Sequence, residues 1–293
     1  MAARSSPLPA ARAEARPLAL RRGRAALKYA VALTIAVVFL TPMVWTLSTS
    51  LKDLGDVLLI PPQWVPDVPR WSNFVDVFQT TPFARYAVNT LIITFLSVIG
   101  KIFSCSLVAY SFARLRWRGR NLLFIIMLAT LMLPSQVTLI PQFVMFRNLG
   151  WIDTYLPLVV PHWLGGPFLT FLLRQYFMTI PTDLDEAAVI DGASPLRVLW
   201  SIVAPQAIPA IVAVTLFHFF FAWNEFLMSL VYVGGNPDLW PLSLGMQKFA
   251  ALYVTRPPLV QASAILAIIV PVVVFFLSQR AFMRGVVMTG VEK

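Results

Sequence analysis

Four side chains with acid–base or charged groups lie inside long apolar segments and are the first candidates for chemistry. They are Lys101, His162, His218 and Glu225. A histidine and a carboxylate within reach of one another can move a proton to or from a substrate. His218 and Glu225 would have to form such a pair, seven residues apart on similar faces of one helix. We favour packed or hydrogen-bonded core residues for both and expect no catalytic residue.

Motifs for phosphate binding and hydrolysis are missing from the sequence. It contains no G-x-x-x-x-G-K-[ST], no H-E-x-x-H and no G-x-S-x-G, which are the signatures of nucleotide cradles, zinc proteases and nucleophile elbows. The single cysteine, Cys105, excludes an intramolecular disulfide framework and a cysteine-cluster metal site. We therefore expect a protein that is not an enzyme and holds neither cofactor nor metal.

Polar residues within the apolar segments could instead line a transport route. An ionisable group inside a membrane costs about 2.5–3.5 kcal/mol and indicates function by default. Glu225, its neighbour Asn224, and Gln136 are candidate pathway-lining residues; internal hydrogen bonding is the alternative for Glu225. Gln136 lies where prolines break a segment, which is tolerated beside a cavity, although simple packing kinks are the alternative. Lys101 and Glu225 differ in depth by roughly 10 Å, which argues against an ion pair.

The elements that must position these residues are membrane-spanning helices. The chain of 293 residues is 58% hydrophobic and 12% charged, and a span needs about 20 apolar residues. We predict an all-α polytopic membrane protein with six transmembrane helices. The predicted spans are 29–49, 88–112, 121–143, 156–178, 208–231 and 260–279.

The distribution of basic residues predicts the orientation of these spans. With both termini in the cytoplasm, the inside segments hold sixteen Lys or Arg and the outside segments six, which satisfies the positive-inside rule. The net charge of +10 is thus a topology signal, and we expect the bilayer but no nucleic acid as a partner. Residues 1–27 are expected to be a disordered basic cytoplasmic tail, and 28–293 a transmembrane domain.

A polar loop at residues 181–206 separates the fourth and fifth predicted spans and has the pattern of two short helices. Thr182 is a predicted N-cap, and acidic residues follow it where backbone N–H groups favour negative charge. Gly192 can take the left-handed conformation that ends the first helix. Ser194 and Pro195 restart a helix. The second helix is so apolar that we expect it to be buried against a partner protein.

The residues of this 181–206 loop resemble the cytoplasmic signature of ABC importer permeases, which is EAA, three residues, G, nine residues and I-x-L-P. The matching residues are Glu186, Ala187, Ala188, Gly192, Ile202 and Pro205. Ala204 departs from the pattern, which usually has leucine there. The contexts Ala109–Arg114, Leu173–Phe177 and Trp223–Leu227 narrow the resemblance to the carbohydrate-importer branch that includes the maltose and glycerol-phosphate permeases.

This resemblance implies a type I ABC importer permease in a bacterial or archaeal cytoplasmic membrane, with a cytoplasmic coupling helix. The partners it implies are a cytoplasmic ABC ATPase dimer, a second permease subunit forming a heterodimer, and an extracytoplasmic solute-binding protein. Leu196, Leu199 and Trp200 would be the anchor on the ATPase, Glu186 would supply a charge, and Gly192 would set the angle between the loop helices. The alternatives are an ABC permease for a non-sugar solute such as a polyamine, or an ion-coupled carrier.

Overall fold

A computed structural model describes residues 18–250 and 256–287, with side chains from residue 26 to 250 and from 256 to 281. The described residues form helices joined by loops and short 3-10 turns. The helices are α1 (Leu18–Ser50), α2 (Leu54–Val57), α3 (Ser72–Thr80), α4 (Phe83–Arg114), α5 (Arg120–Ala129), α6 (Ser135–Asn148), α7 (Leu156–Val159), α8 (Pro167–Phe177), α9 (Asp183–Ile190), α10 (Pro195–Val198), α11 (Ala204–Gln206), α12 (Ile208–Trp223), α13 (Leu227–Val233), α14 (Leu242–Gly245) and α15 (Pro257–Val287).

Four helical segments are long and apolar enough to cross a membrane. They are Ala26–Ser50, Phe83–Arg114, Leu156–Phe177 and Pro257–Ala281. Two bent pairs raise this number to six if each pair is one span: Arg120–Met132 with Ser135–Asn148, bent by 98°, and Pro195–Gln206 with Ile208–Trp223, bent by 86°. By length and composition, the chain therefore contains between four and six membrane-crossing helical segments in its described part.

The breaks predicted in the third and fourth spans are present, although Pro141, the second predicted breaker of the third span, lies inside α6. α5 continues into a 3-10 turn and ends before Pro134, after which α6 begins at Ser135. In the fourth predicted span, α7 passes into a 3-10 turn, and Gly165 at φ +88° separates that turn from α8. Proline cannot donate a backbone hydrogen bond, and glycine tolerates positive φ. The local sequence thus accounts for both interruptions.

The structure differs from the sequence-based prediction at two other places. The fifth predicted span is not continuous, because α12 ends at Trp223 and α13 begins at Leu227. α1 begins at Leu18, so residues 18–27 of the predicted disordered tail are helical, and the earlier part of that tail lies outside the described residues. No proline or glycine marks the break between α12 and α13, and the helix at residues 18–27 lies in a segment whose composition predicted disorder.

The centre of the molecule is a bundle of α4, α8 and α12, which pack against one another. α15 packs on α12 and α1, so the first helix is attached at the edge. A continuous apolar core joins α4, α8 and α12 to the 181–206 loop. Cys105, Leu173, Phe177 and Val214 belong to this core and are buried. The bundle therefore provides a rigid base for the loop.

Candidate functional site

The first helix of the 181–206 loop ends as its sequence predicts, but it begins differently. Gly192 has φ +81°. The N–H of Ala193 bonds to the carbonyl of Ala188 at 2.9 Å, and that of Gly192 to the carbonyl of Val189 at 3.0 Å, which is a Schellman motif. The Thr182 hydroxyl makes no capping hydrogen bond, so its predicted capping role is wrong. The loop is therefore bent by a glycine in the left-handed conformation.

The second helix, Pro195–Gln206, begins at the predicted cap but contains an irregular turn. The Ser194 hydroxyl accepts the N–H of Arg197 at 3.4 Å, and Pro195 is the first helical residue. Residues Leu199–Val203 are π-helical, and the N–H of Ala204 bonds back to the carbonyl of Leu199. Single π turns inside α-helices are frequent at functional sites. This turn sits immediately before Pro205, which has no N–H to continue the α-helical pattern.

The inward side of the loop is part of the core of the membrane helices. Val198, Leu199, Val203 and Ala207 are buried in the same cluster as α4, α8 and α12. Ala188 of α9 belongs to this cluster as well. Burying a Val or Leu side chain contributes about 1.5–3 kcal/mol, so these residues hold the loop firmly on the bundle.

The outward side of the loop exposes apolar side chains on both sides of Gly192. Ile190 is 85% exposed, Leu196 58% and Trp200 42%. Leu199, in contrast, is 0% exposed, so its predicted place in a partner-binding anchor is wrong. The ring of Trp200 stacks on Phe103 of α4, with centroids 5.8 Å apart. The π turn thus directs adjacent residues in opposite directions.

The other residues of the signature are distributed over both sides of the loop. Glu186, Ala187 and Pro205 are exposed, Ile202 is half-buried, and Ala188 is buried. The buried Ala188 packs in the core, and a small side chain suits that position. The exposed Glu186 leaves a carboxylate available for a basic partner. The signature therefore combines structural positions with surface positions.

An ion pair that the sequence did not reveal attaches the loop to the end of α4. Arg114 Nε lies 3.4 Å from Asp185 Oδ2, with side chains only 5% and 15% exposed. Arg114 Nη2 also donates to the carbonyl of Ile180 at 2.6 Å. Burial raises the pKa of the Asp185 carboxyl, and the Arg114 charge opposes that rise. The pair thus ties the start of α9 to a membrane helix at an energetic cost for the carboxylate.

A second polar region surrounds the breaks in the spans. A cavity of about 390 Å³ is lined by residues of α4, α6, α7, α12 and α13 and by the turns between them. Gln136 and Glu225, two of the candidate pathway residues, both line it. Asn224 does not, because it lines a separate groove against α15 and donates to the carbonyl of Phe220 at 2.8 Å. The structure thus brings two of the three candidates together.

Glu225 stabilises the break between α12 and α13. Its Oε1 accepts the N–H of Met228 at 2.9 Å, which satisfies a free donor at the start of α13. Its backbone carbonyl accepts the hydroxyls of Ser229 at 3.1 Å and Ser243 at 2.7 Å. The two interpretations of Glu225, lining a cavity and bonding within the packing, are therefore both true of the described structure.

Lys101 has a specific partner at the break of the fourth span. Its Nζ donates to the carbonyl of Gly165 at 2.7 Å, whereas Glu225 bonds to Met228 as described above. A carbonyl freed by a helix break needs such a donor inside a membrane. In the described part of the chain no ion pair joins Lys101 to Glu225.

The two histidines, which the sequence places in different spans, are in contact. The ring centroids of His162 and His218 are 4.7 Å apart, in an edge-to-face arrangement. His162 lines the cavity, and His218 is buried behind it, stacked with Phe221. Sequence spacing carries no signal for this contact, because the two rings come from helices that are distant along the chain.

A helical bundle with broken spans, a cavity that carries amide and carboxylate side chains, and an amphipathic loop built into its core define an α-helical membrane transport protein. The chain belongs to the family described as "binding-protein-dependent transport system inner membrane component", whose model matches residues 103–287. It is therefore an inner-membrane component of a transport system.

Curated proteins and solved structures agree with this family. The chain is 33% identical over 267 residues to the osmoprotective compounds uptake permease protein GgtD of Synechocystis sp., covering 89% of this chain and 90% of that protein. It is 33% identical over 248 residues to the sn-glycerol-3-phosphate transport system permease protein UgpE of Yersinia pestis, covering 82% and 87%. A crystal structure of a bacterial ABC transporter for the acidic polysaccharide alginate has a chain with the same fold, at TM-score 0.76 and 23% identity, covering 94% of this chain and 100% of that chain.

Proposed function

We propose that this chain is the permease subunit of an ATP-driven ABC importer for a sugar or sugar-derived solute. It would form half of a translocation pathway with a second permease subunit. A separate cytoplasmic ATPase dimer would supply the energy, and an extracytoplasmic solute-binding protein would deliver the solute. The name of another relative, the diacetylchitobiose uptake system permease protein NgcG of Streptomyces coelicolor, supports this class of cargo because it specifies a sugar.

The observation that carries the proposal is the two-sided 181–206 loop. Its inward side belongs to the core of α4, α8 and α12, and its outward side exposes Ile190 and Leu196. Exposed apolar side chains of this kind indicate a protein interface. A partner that moves the loop must also move the helices into which it is packed. The loop is therefore suited to transmit movement from an ATPase to the membrane.

The proposed topology has six spans with both termini in the cytoplasm. The bent pairs bring the described apolar segments to six. In the second pair the proposed span is Ile208–Trp223, and Pro195–Gln206, bent from it by 86°, stays in the loop. The excess of Lys and Arg on the inside segments supports the orientation. In this arrangement the loop faces the cytoplasm, where an ATPase has access to ATP. The sequence itself contains no phosphate-binding G-x-x-x-x-G-K-[ST] motif, which agrees with hydrolysis by a separate subunit.

The pathway in this proposal includes the cavity lined by Gln136 and Glu225. Asn224 lies in a different groove, so its proposed contribution would be to the wall between α12 and α15. Breaks of helices at membrane depth are found in transporters where backbone lines a cavity. The three breaks at residues 133–134, 165–166 and 224–226 are consistent with that role.

Capture of the ATPase by matched loop variants tests the proposal. Ile190→Glu places a charge in the exposed apolar surface and is expected to abolish co-purification of the ATPase and ATP-dependent uptake in vesicles. Gln206→Glu adds the same charge at the exposed far end of the loop and is expected to leave both intact. Equal behaviour of the two variants, or uptake that survives removal of the ATPase but collapses with the proton gradient, contradicts the proposal.

A further inference from the structure

A second pocket lies at the basic turn between α4 and α5, a turn to which the proposed function gives no role. The pocket has a volume of about 290 Å³ and shares no lining residue with the cavity at the broken spans. It is lined by Arg116, Trp117, Gly119, Arg120, Asn121 and Leu122. None of these lining residues is acidic, and two of them carry guanidinium groups. The pocket therefore offers positive charge and hydrogen-bond donors to a ligand.

The two arginines of this pocket have no acidic partner. Among the residues whose side chains the structure describes, no ion pair forms at Arg116 or Arg120. The Asp185 carboxylate at the same end of α4 is already paired with Arg114. Arg120 donates to the carbonyl of Leu115 at 3.1 Å, which holds its guanidinium in place and leaves further N–H groups free. Two positive charges thus remain without compensation and attract an anion.

The chemistry of the lining favours a phosphate group among anions. The planar fork of a guanidinium binds two phosphate oxygens at once, and the pocket places two such forks on one turn. The backbone adds to this preference, because Gly119 has φ +88° and α5 begins after it without a side-chain cap. The first N–H groups of α5 therefore have no partner within the helix.

The apolar surroundings favour a phosphate that belongs to a lipid. Leu122 lines the pocket and begins a row of exposed side chains on one face of α5, continued by Ile125 and Ile126. The side chain of Trp117, which packs against Phe112 with ring centroids 5.6 Å apart, is of the type enriched at membrane–water interfaces. Because α5 begins the third predicted span, the pocket lies at the depth of headgroups and the row at the depth of acyl chains.

We propose that this pocket binds the phosphate headgroup of an anionic phospholipid, with an acyl chain lying along the exposed row of α5. Arg116 and Arg120 hold the phosphate, and Trp117 anchors the turn at the membrane surface. The proposal goes beyond the proposed function and depends on neither the cargo nor the ATPase. In the proposed orientation the lipid belongs to the cytoplasmic leaflet, whose anionic headgroups attract basic segments.

Quenching of a fluorophore on the exposed row of α5 measures lipid preference beside the pocket. Ile125→Cys is labelled with bimane in a Cys105→Ala background, because Cys105 is the one native cysteine. The full chain, with the subunits that co-purify with it, is reconstituted into phosphatidylcholine bilayers. Increasing fractions of phosphatidylglycerol or phosphatidylcholine with a doxyl quencher near the headgroup are then included. The two quenching curves give the ratio of phosphatidylglycerol to phosphatidylcholine binding at position 125.

The ratio is expected to favour phosphatidylglycerol by about tenfold or more, since each arginine near the membrane surface contributes about fivefold. Arg116→Gln should lower the ratio about fivefold, and Arg116→Lys should restore part of it by keeping the charge without the fork. Arg118→Gln is the matched control, because Arg118 is exposed on the same turn but does not line the pocket; it should lower the ratio by less than about twofold.

Three results would overturn the lipid site. Equal losses for Arg116→Gln and Arg118→Gln would indicate general attraction to a charged surface. A ratio near unity in the unmodified chain, or no quenching by either lipid, would show that no anionic lipid occupies the pocket and row.

Other occupants of the pocket are outcomes of the same experiment. Millimolar inorganic phosphate, at matched ionic strength, should leave the ratio unchanged; loss of the preference would assign the pocket to a soluble anion. Arg116→Gln should still capture the ATPase, and loss of capture with unselective quenching would make the pocket a protein contact. Failure of the unmodified chain to capture an ATPase overturns the proposed function, whatever the lipid ratio.

Discussion

The buried pair of Arg114 and Asp185 gives the most quantitative prediction. Breaking a buried ion pair commonly costs 3–5 kcal/mol, but here a single 3.4 Å contact joins two side chains of unequal exposure. Asp185→Asn keeps an oxygen near Arg114, and Arg114 keeps its bond to the carbonyl of Ile180. We therefore expect this variant to lower the free energy of unfolding by about 1 kcal/mol. Arg114→Met leaves both the Asp185 carboxylate and the Ile180 carbonyl without their partner, and we expect it to lower the free energy of unfolding by about 3 kcal/mol.

The double variant Arg114→Met/Asp185→Asn is expected to cost about 2 kcal/mol, well below the sum of the single losses, since no charge is then left buried alone. Unfolding free energies in mixed micelles, followed by tryptophan fluorescence, measure all three variants. Equal losses for the two single variants, or strict additivity, would refute the reasoning.

The same pair makes a prediction about pH. Burial already raises the pKa of Asp185 above its ordinary 3.8, and loss of the Arg114 charge removes the interaction that opposes this rise. A group whose folded-state pKa is raised contributes stability that is present below its unfolded pKa and lost as pH rises through its folded pKa. The difference in unfolding free energy between the unmodified chain and Arg114→Met should therefore shrink as pH falls toward 3.8. A deficit that grows on acidification, relative to the unmodified chain, contradicts this sign.

Three further predictions concern the loop and the broken fourth span. Gly192→Ala should cost about 1–2 kcal/mol of unfolding free energy from its positive φ alone, because no neighbour lies within 4 Å of the added methyl group; a larger loss would indicate a hidden clash. Leu199→Ala should lower the unfolding free energy by about 2–5 kcal/mol, whereas Trp200→Ala should chiefly weaken ATPase capture in a pull-down; the reverse pattern would contradict the assignment of sides. Lys101→Met should lower the free energy of unfolding by about 1–3 kcal/mol, because it leaves the carbonyl of Gly165 without a donor, and it should lower uptake. Lys101→Arg should restore part of both stability and uptake. A methionine variant with unchanged stability and uptake would refute a role for this bond.

The local signals in the sequence predict the bend of the loop, the restart of its second helix and two of the breaks. Gly192 and the pair Ser194–Pro195 determine backbone conformation within a few residues, so their effect is readable without the fold. Pro134 and Gly165 act in the same way on their spans. These residues limit what the backbone can do whatever packs against it.

Contacts between distant helices account for what the sequence did not predict. The break at 224–226 contains neither proline nor glycine and is held by the Glu225 side chain and by Ser243 of a later segment. The pairing of Lys101 with Gly165 and of Arg114 with Asp185 depends on how α4 lies against its neighbours. A helical period places a residue on a face, but it does not say which element that face will meet.

The error about Leu199 follows from the same limit and changes how the loop is understood. An ideal helix would put Leu196, Leu199 and Trp200 on one side, yet the π turn from Leu199 to Val203 rotates Leu199 into the core and leaves Trp200 half exposed. The π turn contributes residues both to the core of the bundle and to the outward surface of the loop. A loop anchored in this way cannot tilt independently of the bundle. Under the proposed function, force applied at Trp200 would reach α4, α8 and α12 through side chains already in contact. Under the proposed function, we therefore expect the irregular turn to make the loop a stiff connection, and straightening it should uncouple ATP hydrolysis from uptake while the ATPase stays bound.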